Sequence, residues 1–350
     1  MAKKIFGEEI GAWTELKLEY IRKYLGAYSN ILNLAGFKEY YFVDTFAGSG
    51  ICRSKKTKKA VPGSPMIALS IQPSFTKYFF IELDHNKIMK LEEMRKKYFP
   101  QKDIIITEGD CNIKIDSILN QIRDDIPFVA LLDPQAGDLY WETIHKISLK
   151  KKAEVLINFP LGMAIRRYMP LTKGKEVSEN MEEKLNKIFG NDNNWKQIYL
   201  ERKKGTISPV VAREKYLDLY LNNLLSTGFQ YYAVKDIKNS LGNHIYYLIF
   251  GSKHIKGLEK MKDVIVKDET ERNTLFFIQD LASKIYRTFH GERNLNLNII
   301  LEKLLPGKHL YRKQDFKNAL IVLERKKKLK RAKTRKNARS FQDNESFGIL

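Results

Sequence analysis

The chain has 350 residues, 43% of them apolar, which allows one large packed domain with a smaller appendage. Lysine and arginine outnumber aspartate and glutamate by 62 to 41, a formal net charge of +21, and such an excess favours polyanionic partners because each neutralised phosphate releases condensed counterions. Two cysteines, Cys52 and Cys111, and six histidines without an HExxH-type pair make neither a disulfide framework nor a zinc site, so no protein-bound metal is expected. The start Met1-Ala2-Lys3-Lys4 carries no apolar leader, and no run approaches the ~20 apolar residues of a membrane span, so the expected setting is cytoplasmic without membrane contact.

Residues 13–34 read as an amphipathic helix, with Leu16, Tyr20, Ile21, Tyr24, Leu25, Tyr28, Ile31 and Leu32 at helical spacing. Short apolar strands follow at 40–46, 77–82, 103–108, 127–133 and 153–159, separated by helical patterns at 64–72, 85–98, 112–124 and 138–150. That alternation predicts an α/β fold with a doubly wound, Rossmann-like parallel sheet buried on both faces. Residues 163–205 are charged and Asn-rich and read as a helical insertion carrying Arg166, Arg167, Trp195 and Lys196. A helix over 208–227 leads to a hairpin of 229–237 with 244–251, which makes the sheet seven-stranded, and a helix over 257–266 closes a domain of 1–268. Residues 269–350 show helical patterns at 273–289, 295–305 and 313–325, then a basic ribbon from Arg325 to Arg339. A winged-helix module and a helical extension with a solvated charge run fit this C-terminal domain equally.

Polar clusters close the strands, and ligands of open parallel sheets bind at the carboxyl ends of strands. The Asp44–Gly50 turn lets backbone amides approach the methionine part of an S-adenosylmethionine donor, since Gly48 and Gly50 carry no Cβ. A dinucleotide fingerprint needs a third glycine where Ile51-Cys52-Arg53 stands. Glu82 is a candidate acceptor for both ribose hydroxyls. Asp110 is a candidate acceptor for the adenine amino group, a cap for the next helix, or both. Asp133, beside the Pro134 carbonyl, offers two acceptors to an exocyclic amine being methylated, although the dipeptide is also a common turn opener. Asn158 and Phe159 are placed to wall the same cleft. Phe159 or Trp141 is either the ring that stacks a flipped base or a core side chain. Arg166, Arg167, Lys327, Lys328, Lys330 and Arg331 are candidate phosphate contacts, with a solvated surface as the other reading.

Taken together, Trp13…Lys17, Asp44–Gly50, Pro62-Gly63-Ser64-Pro65, Phe80-Ile81-Glu82, Gly109-Asp110-Cys111-Asn112, Leu132-Asp133-Pro134 and Ile157-Asn158-Phe159-Pro160 resemble the three-Cys-motif partner (TcmP) family. That family is assigned to class I methyltransferase-like proteins, and the resemblance covers roughly residues 10–265. The series is also similar to the large-subunit ribosomal-RNA adenine-N6 methyltransferases. The resemblance implies that Lys17, Phe46, Ser64 and Cys111 join Glu82, Asp110 and Asp133 around the donor. It also implies a partner protein with a cysteine-bound iron–sulfur cluster. The ribosomal-RNA enzymes carry Asp-Pro-Pro-Tyr where this chain has Asp133-Pro134-Gln135-Ala136, so Gln135 faces the acceptor and the stacking ring is missing from the turn. The expected activity is methyl transfer to an exocyclic amine of an RNA or DNA base, adenine N6 foremost. The alternative is a donor-binding, nucleic-acid-binding scaffold for the iron–sulfur protein, with weak turnover.

Overall fold

The structure is a computed structural model describing residues 8–162, 165–172, 175–190, 194–239, 241–266, 274–332 and 340–350. Contacts divide the chain into two units, Met1–Lys253 and His254–Leu350.

The first unit is built on a seven-stranded sheet of β1 (Tyr41–Asp44), β2 (Lys77–Glu82), β3 (Ile104–Glu108), β4 (Phe128–Leu132), β5 (Ala153–Phe159), β6 (Tyr231–Lys238) and β7 (His244–Ser252), in the order β3-β2-β1-β4-β5-β7-β6. Strands β1 to β5 are parallel, and β7 runs antiparallel to both β5 and β6. Every residue of β1, β4 and β5 is buried, which explains their unbroken apolar runs. The winding direction reverses between β1 and β4, and a crevice forms at such a switch point.

Helix α1 (Ala12–Leu34) turns Leu18, Tyr20, Ile21, Tyr24, Leu25 and Tyr28 inward, and the Tyr24 ring meets Phe250 of β7 edge-on at 5.0 Å. Helices α2 (Ser64–Ser70), α3 (His85–Tyr98), α4 (Cys111–Leu119) and α5 (Trp141–Ser148) follow β1 to β4 in turn. The expected helix at 138–150 starts late because Gly137 and the extended Tyr140 cap precede it. A small sheet was not anticipated: Ile51–Ser54 pairs antiparallel with Ala60–Pro62 and parallel with Glu9–Ile10. Strands this short carry too few residues for an alternation to register.

The expected insertion consists of a 3-10 turn (Ile165–Tyr168), α6 (Glu179–Phe189) and α7 (Asn194–Lys203). Its Trp195 is fully buried and donates Nε1–H to Asn186 at 2.8 Å. Helix α8 (Pro209–Ser226) starts with Ser208 accepting from Val211 N–H and with Pro in its first turn. It leads into the expected hairpin.

The second unit contains α9 (Ile255–Val266), α10 (Thr274–Phe289), α11 (Leu297–Leu304), α12 (Lys313–Arg325) and an antiparallel pair, Leu329–Arg331 with Phe347–Ile349. Leu295, ahead of α11, makes an isolated antiparallel bridge to Phe347. Helix α9 groups with this unit, so the division falls at Lys253/His254 where the sequence suggested 268. Its core holds Leu281, Ile285, Phe289, Leu301, Phe316, Leu320, Leu323 and Phe347. Lys262 is fully buried and donates to the carbonyls of Gly307 (2.7 Å) and His309. Burial pulls this ammonium down to about 7.

Candidate active site

A cavity of about 860 Å³ opens where β1, β2, β3 and β4 end, lined by Lys17, Phe46, Gly48, Gly50, Ser64, Glu82, Asp110, Cys111, Asp133, Pro134, Gln135 and Asn158 among others. Stretches far apart in sequence, from Glu8 to Tyr246, meet there, and the parallel strands bring their carboxyl ends to this edge.

The glycine turn makes the floor. Gly48 has φ +66°, and a Cβ on it would meet nothing within 4 Å, so this position faces the open cavity. Gly50 has φ +78°, and its Cβ would lie 2.5 Å from Met94 Sδ, so it is glycine for packing. Gly63 N–H donates to Gly50 O at 2.9 Å and a Cβ there would crowd that same oxygen at 3.0 Å. This close backbone approach fixes Ser64, the first residue of α2, at the cavity wall.

Asp44 does not reach the lining. It lies fully buried behind the turn, accepting Phe46 N–H at 3.2 Å, while its other oxygen has no hydrogen-bond partner. Burial raises its carboxyl to about 7, opposed by the bond from Phe46 N–H. The expectation of a donor contact is thereby corrected to support of the turn from beneath.

Glu82 ends β2 with its carboxylate tied by backbone amides: Gly48 N–H at 2.7 Å, Leu83 N–H at 3.0 Å and Asp84 N–H at 3.0 Å. These bonds hold its oxygens against the glycine turn and orient the lone pairs that remain. Asp110 caps α4, one oxygen accepting Asn112 N–H and Nδ2–H at 2.8 Å each. Asn112 in turn donates to Asp138 O and accepts from Tyr140 N–H and Thr143 Oγ1. One residue therefore braces the loop that closes this side. Cys111 is buried on the lining, and burial pushes its thiol far above the usual range, so it serves as an apolar wall and not as a nucleophile.

At the end of β4, Asp133 receives Lys17 Nζ at 2.6 and 2.5 Å and Asn158 Nδ2 at 2.8 Å. Asn158 Nδ2 also points at Pro134 O, 3.4 Å away. The resemblance placed Lys17 on the donor, whereas here it clamps the Asp133 carboxylate. Tyr246 of β7, which sequence reasoning missed, lies below that clamp: Lys17 Nζ sits 5.6 Å from its ring centroid, and its hydroxyl donates to Trp13 O at 3.1 Å. A residue some two hundred positions along gave no signal beyond a hairpin pattern.

Several expected acceptor contacts lie elsewhere. Phe159 is 2% exposed and stacks on Tyr220 at 4.1 Å, so it is core. Trp141 packs edge-on against Tyr220 at 5.2 Å and is absent from the cavity lining. Arg167 lines the cavity, while the exposed Arg166 does not. Gln135 lines it and donates to Glu8 Oε2 at 2.9 Å. Arg331 is buried in the second unit, bound to Glu324 and Glu345 at 2.7 Å each, and is a brace with no face for phosphate. Lys327, Lys328 and Lys330 are exposed there. The rest of the basic ribbon, 333–339, lies outside the described residues. The aromatic side chains that do line the cavity, besides Phe46, are Trp13, Tyr140 and Tyr246.

No family model matches the chain, and no curated protein does either. The similar solved structures include a Legionella pneumophila protein of the DUF519 family model, 12% identical over 71% of this chain and 90% of that one, with a TM-score of 0.44. A Thermotoga maritima SAM-dependent O-methyltransferase is 15% identical over 64% of this chain and 63% of that one, at TM-score 0.31. TYW2 of M. jannaschii in complex with AdoMet is 12% identical over 64% and 73%, at 0.29. Likenesses this distant carry no argument about chemistry. The strand order with its single antiparallel strand describes the architecture directly. The fold is a Rossmann-like α/β sheet whose one antiparallel strand lies beside its edge.

Proposed function

We propose that the chain is an S-adenosylmethionine-dependent methyltransferase acting on an exocyclic amino group of a nucleic-acid base, adenine N6 foremost. The observation that carries this reading is the convergence of Gly48, Glu82, Asp110 and Asp133 on one cavity at the ends of four adjacent strands. A donor bound there supplies an electrophilic methyl carbon on a sulfonium. Gly48 leaves room beside the backbone for the methionine portion. The amide-oriented Glu82 oxygens accept the ribose hydroxyls with their remaining lone pairs. Asp110 uses one oxygen as a cap and presents the other to the adenine edge.

On the acceptor side, Lys17 and Asn158 fix the Asp133 carboxylate, so the amine meets an acceptor already oriented. Asp133 and the Pro134 carbonyl take N–H bonds from the amine and turn its lone pair toward the methyl carbon. With a donor bound, the N–C bond would form as C–S breaks, leaving a neutral thioether, and the surplus proton on the amine would pass to the Asp133 carboxylate and on to water. Tyr140, on the lining, takes the base-stacking place that Gln135 leaves without a ring.

The test is transfer of labelled methyl to total RNA and to genomic DNA, wild type beside Asp133→Asn. The reading expects one of the two nucleic acids to be labelled and the variant to lose ~100-fold or more of the rate. A second reading is favoured by the Lys17 clamp, which already engages both Asp133 oxygens. In it the chain is a donor-binding scaffold for an iron–sulfur partner protein. Donor binding without transfer to either nucleic acid, with the partner present or absent, supports that scaffold.

A further inference from the structure

We propose that the C-terminal unit is a winged-helix surface that docks on double-stranded DNA, with α12 lying in the major groove. After α9 its order is helix α10, the isolated bridge at Leu295, helices α11 and α12, then the antiparallel pair of Leu329–Arg331 with Phe347–Ile349. The pair α11–α12 therefore stands as a helix-turn-helix with the antiparallel pair behind it, and in such pairs the second helix enters the groove.

The chemistry of α12 fits that place. Phe316, Ala319, Leu320 and Leu323 are buried and anchor one face. The opposite face exposes Gln314, Asn318 and Arg325. Gln314 Nε2 donates to Asn318 Oδ1 at 3.0 Å, so the two amides already stand side by side one turn apart. Asn and Gln carry the donor–acceptor pair that matches the adenine edge in the major groove. The two lysines nearest them, Lys313 and Lys317, are both held by Asp343, at 2.5 and 3.4 Å, which leaves this part of the face nearly neutral.

Charge is concentrated at the other end of α12. Arg325, Lys326, Lys327 and Lys328 are exposed, and the strand that follows alternates, with Leu329 and Arg331 inward and Lys330 outward. The buried Arg331 ties the antiparallel pair to α12 through Glu324 and Glu345 and lies 3.6 Å over the Phe341 ring. A nearly neutral amide face with exposed cations beyond one end of its helix is the division of labour that base and backbone contacts require. Duplex DNA is the fitting partner because its major groove admits a helix, whereas that of A-form RNA is too deep and narrow. The proposal concerns the second unit alone and stands whether or not the cavity transfers methyl groups.

The experiment is fluorescence anisotropy of the full chain with a labelled duplex of about 20 base pairs at several salt concentrations. The duplex DNA is expected to bind at least tenfold more tightly than RNA duplex or single strand of the same sequence. Lys326→Ala/Lys327→Ala/Lys330→Ala, all at exposed positions, should weaken binding tenfold or more and lower the log–log salt slope by roughly 1 per cation removed. Gln314→Ala/Asn318→Ala should retain affinity for random DNA while flattening the preference recovered from a randomised duplex pool. Equal or tighter binding of RNA, or an unchanged slope in the triple variant with an unchanged melting curve, would overturn the proposal.

Discussion

Lys17 Nζ lies 2.6 and 2.5 Å from the two carboxylate oxygens of Asp133, with the two side chains only 9% and 16% exposed. An ion pair this sheltered fixes geometry more than it adds stability, since desolvation offsets much of its attraction. Lys17→Met should therefore lower the rate of methyl transfer by ~100-fold. Affinity for S-adenosylhomocysteine should change less than threefold, the comparison being made by single-turnover kinetics and calorimetry. A large loss of affinity would return Lys17 to the donor carboxylate.

Glu82 accepts three backbone N–H groups. Glu82→Gln turns one acceptor oxygen into a donor against those amides and weakens what it offers to a ribose. The donor should bind about 1–3 kcal/mol more weakly, and the melting temperature should fall as well. Calorimetry and a thermal melt read the two effects separately.

Gly48 and Gly50 are expected to fail differently when changed to alanine. Gly50→Ala meets Met94 Sδ at 2.5 Å on top of the left-handed backbone penalty at φ +78° and should destabilise the fold by about 2–5 kcal/mol. Gly48→Ala meets no protein atom, so it carries only the left-handed backbone penalty of roughly 1–2 kcal/mol. Its methyl group stands in the cavity and should weaken the donor. Denaturant melts and donor titrations on both variants check the contrast.

Asp44 and Glu154 give a pH dependence of definite sign. Glu154 accepts from Tyr24 and from Ser252 (2.7 Å), and burial raises both carboxyls to about 7. Each holds a proton in the folded chain at pH values where the unfolded chain has lost it. Their contribution to stability is therefore greatest below about pH 4 and is lost as pH rises through about 7. Asp44→Asn and Glu154→Gln should each flatten part of the decline in melts taken across that range.

The sheet was legible because buried parallel strands are continuous apolar runs, and β1 to β5 stand out from the helices between them. The strand-end residues were legible for the same reason: strand order sends Gly48, Glu82, Asp110 and Asp133 to one edge. What touches what across that edge was not. Lys17 and Asp133 are separated by 116 positions, and no periodicity encodes a pairing at that range. Aromatic residues misled in a characteristic way. Phe159 and Trp141 sit beside the motifs in sequence yet pack on Tyr220 of α8, since a large ring near a strand end satisfies the core as readily as a ligand. Arg331 misled within the basic ribbon, because the alternation of its short strand turned it inward.

The most direct measurement is calorimetric titration of the full chain with S-adenosylhomocysteine, wild type beside Glu82→Ala and Gly48→Val. One site per chain, lost or strongly weakened in both variants while their melting curves stay cooperative, is the expected result. No binding by wild type, or binding untouched by both substitutions, would contradict a donor site at the ends of β1 and β2.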